Sequence, residues 1–287
     1  MTDLPLPAPA ALRQGLLAVS VLRGVDLQPG TDGVVLPGDA ARRDVHVPWD
    51  ECRRALGGHD PLSDDGQERL TRWLQARRWA ADLEDGELAE RLRPVGLPVE
   101  HLLHPGPEWV QEHVLGGALD LGLAAAGLDP DDPDAVVLVP PPATDEAGVD
   151  VPRAWAEARA LLEDLGRLAA QLLARDAQAR LRPVGDCDVV TLLGARSLRA
   201  ALAADGGMAS VVAPMLRRGW TRLSLVDPAF APAAAAATAP AERGFPRPLL
   251  VTADEVQQVA AGGRPADLAL RQAGAADSPW GREVLRR

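Results

Sequence analysis

The sequence has 287 residues and contains no lysine, asparagine, isoleucine or tyrosine, a composition that indicates a GC-rich bacterial genome. The absence of lysine excludes a Walker A loop, a pyridoxal Schiff base, a kinase strand lysine and a Ser–Lys dyad, and the absence of tyrosine excludes a Tyr–Lys reductase dyad. The net charge of −11 and the isoelectric point near 4.9 argue against a nucleic-acid partner, because binding to the phosphate backbone depends on cationic side chains.

Four segments have the apolar periodicity of helices. They are 48–56, 65–81, 107–125 and 152–174. The second begins with Asp65 and, three residues later, Glu68, a pair that resembles a capping box. Glycines in the third segment weaken a helix by about 1 kcal/mol each relative to alanine. We therefore expect that helix to be central and buried against another backbone.

Short apolar runs bounded by glycine, proline and aspartate predict strands. These runs are 16–22, 33–36, 45–47, 136–139, 210–213, 223–226, 249–252, 256–259 and 267–270. The last three are expected to form a small antiparallel meander. Because helices and strands occur in clusters without strict alternation, we predict an α+β fold of mixed helices and small, largely antiparallel sheets.

Proline and glycine punctuate the segment 94–107, which marks a boundary between two subdomains. We predict an N-terminal α/β subdomain at 11–104 and a C-terminal α+β subdomain at 105–274. The two ends of the chain, 1–10 and 275–287, are expected to be loose.

The sequence also predicts the cellular compartment. Its two cysteines, Cys52 and Cys187, lie far apart and do not form the disulfide framework of a small secreted domain. Residues 1–7 lack the basic region and the apolar run of a signal peptide. No apolar run approaches the roughly 18 residues that are needed to span a bilayer. We therefore expect a cytoplasmic protein with no membrane partner.

The segment 185–198 brings two acids and a thiol to the start of an apolar run, the tightest convergence of reactive side chains in the sequence. In one interpretation Asp188 is the N-cap of a helix that begins at Val189, and its carboxylate accepts hydrogen bonds from the first backbone amides. In the other, 189–193 form a buried strand, and a helix begins near Ser197 and ends at 205–207. Asp186 and Asp188 then lie on one face at the entry of the strand as an acid–base or metal-binding pair. The cap interpretation is favoured, because helix caps are far commoner than catalytic acid pairs.

Residue types that bind metal ions are densest in the region 101–113. His101 and His104, three residues apart, can approach one ion from a helical turn, and His113 lies near the start of the next predicted helix. These three histidines are therefore candidates for a metal site. The region contains no complete HExxH motif, so packing between subdomains and surface exposure are the competing interpretation.

Taken together, these features favour a non-catalytic protein that contacts an unidentified protein partner through an acidic surface and needs no cofactor. The alternative is a hydrolase. In that hypothesis Asp186 and Asp188 act as an acid pair with a histidine from the 101–113 region, with His113 as the candidate. Convergence of these groups within hydrogen-bond reach would favour the enzyme.

Overall fold

The computed structural model of the protein describes residues 10–39, 42–99, 104–115, 117–133, 135–176, 180–204, 209–212, 220–223, 245 and 249–258. Two compact units are present. The first lies within Met1–Arg93, Pro105–Val110 and Leu123–Ala154, and the second within Pro94–His104, Gln111–Gly122 and Trp155–Arg287. The chain therefore passes between the units several times, and the subdomain limits at 11–104 and 105–274 remain a prediction.

The described residues form helices and short strands, which are numbered here in chain order. The helices are α1 (Ala10–Arg23), α2 (Trp49–Leu56), α3 (Asp64–Ala81), α4 (Glu87–Arg91), α5 (Pro141–Glu146), α6 (Val151–Arg175), α7 (Val189–Leu192) and α8 (Arg196–Ala203). The strands are β1 (Gln28–Pro29), β2 (Gly33–Leu36), β3 (Val45–Pro48), β4 (Leu92–Pro98), β5 (Gln111–Leu115), β6 (Leu119–Ala126), β7 (Val136–Leu138), β8 (Arg180–Leu181), β9 (Ala209–Val212), β10 (Trp220–Leu223), β11 (Leu249–Val251) and β12 (Val256–Gln258). Helices combined with small antiparallel sheets make the fold α+β, as predicted.

The core of the first unit forms where α1, α2 and α3 pack together beside the antiparallel sheet β1–β2–β3. Helix α3 buries Leu70, Trp73 and Leu74 on one face, at the spacing of a helix that packs along a core. The ring of Trp73 meets that of Trp109 edge-on, with the ring centroids 4.9 Å apart. Trp73 and Trp109, like Trp49, are therefore core residues.

The helix predicted at 65–81 is confirmed as α3, but its cap differs from the prediction. Its N-cap is Ser63, whose Oγ accepts a hydrogen bond from the amide of Gly66 at 3.1 Å. The capping box predicted from Asp65 and Glu68 is wrong, because Asp65 already lies inside the helix. Asp65 lies in the first turn, where its negative charge interacts favourably with the positive end of the helix dipole.

The strand predicted at 16–22 is wrong, since these residues lie in α1. The buried side chains Leu12, Leu16 and Val19 are spaced four and three residues apart, which is one face of a helix. The solvent-facing side of the same run is also apolar. The run therefore has the continuous hydrophobicity of a buried strand, and its helical period is hidden.

The helix predicted at 107–125 is wrong as well. The strands β5 and β6 form an antiparallel hairpin here, with His113 opposite Asp120. Gly117 adopts a φ of 89° at the turn, a conformation that glycine reaches without strain. Nearly every residue of β6 is buried, so its apolar run lacks the alternation that distinguishes a half-exposed strand from a helix.

Helix α6 confirms the helix predicted at 152–174 and contributes most of its length to the second unit. In that unit β6 lies between β4 and β5, and in the first unit the last residues of β6 pair with β7. An antiparallel sheet of order β12–β11–β9–β10–β8 completes the second unit, and α8 packs on β11.

Other predicted elements are reproduced with small shifts. The strands at 33–36, 45–47, 136–139, 210–213, 249–252 and 256–259 and the helix at 48–56 correspond to β2, β3, β7, β9, β11, β12 and α2. The strand predicted at 223–226 overlaps β10 at one residue, and its other residues, like the strand predicted at 267–270, lie outside the described part of the chain. Within the described residues, no helix is both long enough and apolar enough to cross a membrane.

Candidate functional site

The segment 185–198 forms a turn followed by the two short helices α7 and α8. Asp188 Oδ1 accepts a hydrogen bond from the amide of Thr191 at 2.7 Å, so Asp188 is the N-cap of α7. The N-cap predicted at Asp188 is confirmed, and the strand predicted at 189–193 is wrong. The helix ends at Leu192, however, and α8 begins at Arg196, close to the helix start near Ser197 that the strand interpretation predicted. Asp186 lies exposed in the turn, whereas Asp188 is partly buried.

The same segment is packed tightly inside the second unit. The amide of Gly96 donates to Thr191 Oγ1 at 2.8 Å, and the backbone of Thr191 leaves no space for a side chain at Gly96. Arg199 is buried and donates to the carbonyls of Leu193 and Gly194 at 2.7 and 2.8 Å. These contacts give the segment the role of a packing centre.

A second carboxylate, from α6, caps the start of α8. Glu163 accepts hydrogen bonds from the amides of Arg196 and Ser197 at 2.6 and 3.2 Å. Burial would by itself raise the pKa of Glu163, but the hydrogen bonds outweigh burial and hold this pKa below its usual value. The ionised carboxylate therefore fixes α8 against α6.

Cys187 lies between the two acids and is buried. Its backbone exchanges two hydrogen bonds with Val184, of 3.0 and 3.2 Å, across the turn. A nucleophilic thiol has to reach its substrate, and reactive cysteines are partly exposed. The enclosure of Cys187 therefore opposes a nucleophilic role.

Two of the predicted histidines converge on one buried acid. His104 Nε2 lies 3.1 Å from Asp120 Oδ2, and His113 Nδ1 lies 2.7 Å from Asp120 Oδ1. The Asp120 side chain is 1% exposed, whereas that of His113 is 80% exposed. The antiparallel register of β5 and β6 produces the shorter contact, because it sets His113 opposite Asp120.

This arrangement orients an imidazole at the surface. When the His113 ring is neutral and donates its Nδ1 hydrogen to Asp120, the Nε2 lone pair is left on the other side of the ring. A carboxylate that fixes the tautomer in this way accepts the hydrogen bond of the second ring nitrogen in histidines that act as general bases and in histidines that bind metals. The cluster of His104, Asp120 and His113 is therefore able to accept a proton from a molecule bound at the surface.

The predicted site residues are thus only partly brought together. His104 and His113 meet at Asp120, while the carboxylate of Asp188 is engaged with its own helix. His101 lies outside the described residues. Among the residues that are described, no group of three His, Cys, Asp or Glu side chains is placed to hold a metal ion.

Asp120 was missed by the sequence analysis, although the sequence contains a signal for it. It is the one charged residue in the otherwise apolar run of β6. A buried carboxylate needs hydrogen-bond donors, so an acid inside an apolar strand indicates a partner on a neighbouring element. Assigning this region to a helix concealed the cross-strand partner.

Helix α6 carries a second apolar face, which we call the outer stripe. It consists of Leu161, Leu165, Leu168 and Leu172. Leu168 and Leu172 are 43% and 48% exposed, and the other two are partly buried. The buried residues of α6 lie about 90° around the helix from the stripe, at 3.6 residues per turn; they are Trp155, Ala158, Leu162, Gly166 and Ala169. The outer stripe is therefore additional to the face that packs in the core.

Comparison with protein-family models, with curated proteins and with solved structures found no match for this sequence. A function for the chain has to be argued from the chemistry and the exposure of its own residues.

Proposed function

We propose that this chain is a non-catalytic, partner-binding protein and that the outer stripe of α6 is its docking face. The observation that carries this proposal is the placement of exposed large apolar side chains in the described residues. Leu168 and Leu172 of α6 are two of these six side chains and extend the row that Leu161 and Leu165 begin, three others lie on α1, and the sixth is Leu62. Single exposed leucines are normal on a protein surface, but apolar rows along a helix are typical of binding faces.

The spacing of the outer stripe indicates what it binds. Its four leucines are separated by four, three and four residues, which is the repeat of a helix that packs lengthwise against another helix. The occupant that fits this repeat is a helix with the same spacing. A second copy of the chain supplies one, because an antiparallel two-fold arrangement sets Leu165 opposite Leu168 and Leu161 opposite Leu172 of the other copy.

The border of the stripe is compatible with self-pairing. Asp164 and Arg167 form an exposed ion pair beside the leucines, so each copy brings one charge of each sign. The net charge of −11 on each copy opposes association at low ionic strength, and added salt screens this repulsion. The stripe spans three turns, about 16 Å at 1.5 Å per residue. An interface of this length is small, and we expect micromolar association.

Sedimentation equilibrium tests this proposal. The wild-type protein is expected to form a dimer as its concentration rises to about 100 µM. Leu168→Glu and Leu172→Glu place a charge in the interface between the two outer stripes and are expected to weaken association by at least about 10-fold. Leu62→Glu is the matched control, because Leu62 is similarly exposed at 47% but does not belong to the stripe. A wild-type protein that stays monomeric, or an equal effect of all three variants, contradicts the proposal.

A second candidate function is favoured by the orientation of His113. In this alternative the chain is a hydrolase, and His113 oriented by Asp120 replaces the acid pair of Asp186 and Asp188 as the source of general-base catalysis. Hydrolysis of a panel of chromogenic esters and phosphoesters tests this candidate. Activity should fall by about 100-fold or more in His113→Gln and in Asp120→Asn. Activity that is unchanged in both variants, or that does not exceed free imidazole, contradicts the hydrolase.

A further inference from the structure

The first unit contains a polar cleft with a volume of about 380 Å³. None of the site residues predicted from the sequence lines this cleft. Its lining consists of Arg43, Asp44, Val45, His46, Pro48, Glu51, Arg77 and Glu146. Clefts of about 300–1,000 Å³ are the size class of sites for small molecules. The cleft is also independent of the outer stripe, which belongs to α6 in the second unit.

Buried Arg77 and Glu51 form an ion pair at this cleft. Arg77 Nε donates to Glu51 Oε1 at 2.9 Å, and the indole nitrogen of Trp73 donates to the same oxygen at 2.7 Å. Both charged side chains are almost fully buried. One acid therefore already balances the charge of Arg77, as buried charges require.

A second carboxylate holds the remaining face of the Arg77 guanidinium. Nη1 and Nη2 donate to the two oxygens of Glu146 at 2.8 and 2.7 Å, a bidentate arrangement. Glu146 is the last residue of the short helix α5, and its side chain is 47% exposed. Since Glu51 already neutralises Arg77, Glu146 gives the three-residue group a net negative charge. The pairing of Arg77 therefore does not by itself require Glu146, whose charge is offset by the nearby Arg43.

A second guanidinium acts on the same carboxylate. The hydrogen bonds from Arg77 hold the pKa of Glu146 below its usual value against the opposing effect of burial, and the charge of Arg43 contributes in the same direction. A carboxylate influenced by two guanidinium groups at the edge of a cleft occupies the position that an anionic ligand would take.

We propose that the cleft binds a small molecule that carries a carboxylate, and that Glu146 occupies the position of the ligand carboxylate in the unliganded protein. The planar fork of Arg77 matches a carboxylate through two parallel hydrogen bonds. Glu146 can be displaced into solvent because it is half exposed, whereas Glu51 remains buried beneath the ligand. Binding is therefore an exchange of one carboxylate for another, and Glu146 lowers the apparent affinity of the site.

Chemical rescue with acetate tests this proposal. Glu146→Ala removes the internal carboxylate and leaves the Arg77 fork facing the cleft. Added acetate is expected to raise the melting temperature of this variant in a saturable manner, because a ligand that binds only the native state stabilises it. Half-saturation should occur at an acetate concentration at least about 10-fold lower than for the wild-type protein. A further Arg77→Lys substitution should abolish the shift.

Glu112→Ala is the matched control. Both carboxylate oxygens of Glu112 also accept from a guanidinium, since Arg159 Nη2 lies 2.5 and 2.7 Å from them. This pair is exposed and belongs to the second unit. Acetate should not rescue it. If acetate leaves the melting temperature of Glu146→Ala unchanged, or shifts both variants equally, the proposal is wrong. If Glu146→Ala does not fold, Glu146→Ser is measured by the same criterion, because it also vacates the carboxylate position and keeps a polar side chain at the end of α5.

Discussion

At the scale of single residues, the hydrogen-bond donor determines what each buried or partly buried acid does. Asp188 accepts from a backbone amide and caps the start of a helix, whereas Glu51 accepts from a guanidinium and an indole inside the core. Asp120 accepts from two imidazoles, one of which is exposed. Asp120 is therefore the one of these acids that orients a side chain at the surface.

The cap formed by Asp188 leads to a prediction about stability. Asp188→Ala is expected to lower the free energy of unfolding by about 0.5–2 kcal/mol, while Asp188→Asn, which can still accept the amide hydrogen, should cost much less. Urea denaturation of both variants measures the difference, with the exposed Asp164→Ala as the control. Equal losses in the alanine and asparagine variants would show that the carboxylate charge matters and that the cap hydrogen bond does not.

Burial of Cys52 leads to a prediction about alkaline pH. Burial, assisted by the charge of Glu51, raises the pKa of Cys52 from its usual 9.0 to about 12. Between these two values the unfolded chain has lost a proton that the native protein keeps, so stability must fall as the pH rises through this window. The free energy of unfolding should therefore decrease less between pH 8 and pH 10 in Cys52→Ala than in the wild-type protein. Parallel decreases would contradict the raised pKa.

At the scale of elements, α6 shows how a single residue fixes the approach of two helices. Its core face includes Gly166, where a side chain would overlap the Cβ of Ala195 and approach Ser197 Oγ to 2.8 Å. The missing side chain lets α6 lie close to the junction of α7 and α8, which Glu163 then fixes through its hydrogen bonds. The close approach on one face leaves the outer stripe free of this packing role.

Gly166→Ala tests the close approach. Alanine favours a helix by about 1 kcal/mol over glycine, but the overlap with Ala195 should cost about 1–3 kcal/mol. We expect net destabilisation in denaturant unfolding, or at best no gain. Arg167→Ala on the exposed side of the same helix is the control and should change stability little. A clear stabilisation by Gly166→Ala would mean that α6 does not approach this junction.

Local periodicity predicted the elements whose two faces differ, and it failed where they do not. Helices α3 and α6 were recognised because a buried face recurs at helical spacing, whereas α1 and β6 are apolar on both sides. The cap of Asp188 involves an amide only three residues away and was predictable. The pairing of Asp120 depends on the hairpin register, and Arg77 and Glu146 are 69 residues apart, so neither contact leaves a local pattern.

At the scale of the whole molecule, the pairing of arginines with acids leaves the protein with a negative electrostatic field. Several arginines are engaged by acids within their own unit, as Arg77 is by Glu51 and Glu146 and Arg159 is by Glu112. Such arginines contribute little to a cationic surface, and the net charge of −11 remains. The long-range field of the protein is therefore repulsive toward polyanions.

This field leads to a prediction about nucleic acids. The protein should not be retained on random-sequence DNA or RNA near physiological ionic strength, because few phosphates could be neutralised. Fluorescence anisotropy with a labelled duplex, measured at low and at physiological salt, checks this expectation. Binding that persists at physiological salt and weakens steeply as salt is added would reveal a cationic face among the arginines.

The interleaved order of the two units has a consequence during synthesis on the ribosome. The first unit includes Leu123–Ala154, so it cannot be completed until Ala154 has emerged, although most of its helices have been made by Arg93. By then Pro94–His104 and Gln111–Gly122 have already been synthesised, but the rest of their unit, which begins at Trp155, has not. At about 5–20 residues per second this delay lasts several seconds. During that interval β4, β5 and the first residues of β6 lack α6 and every later element of the second unit, so we expect the apolar side chains of this sheet to be accessible to chaperones that shield hydrophobic segments.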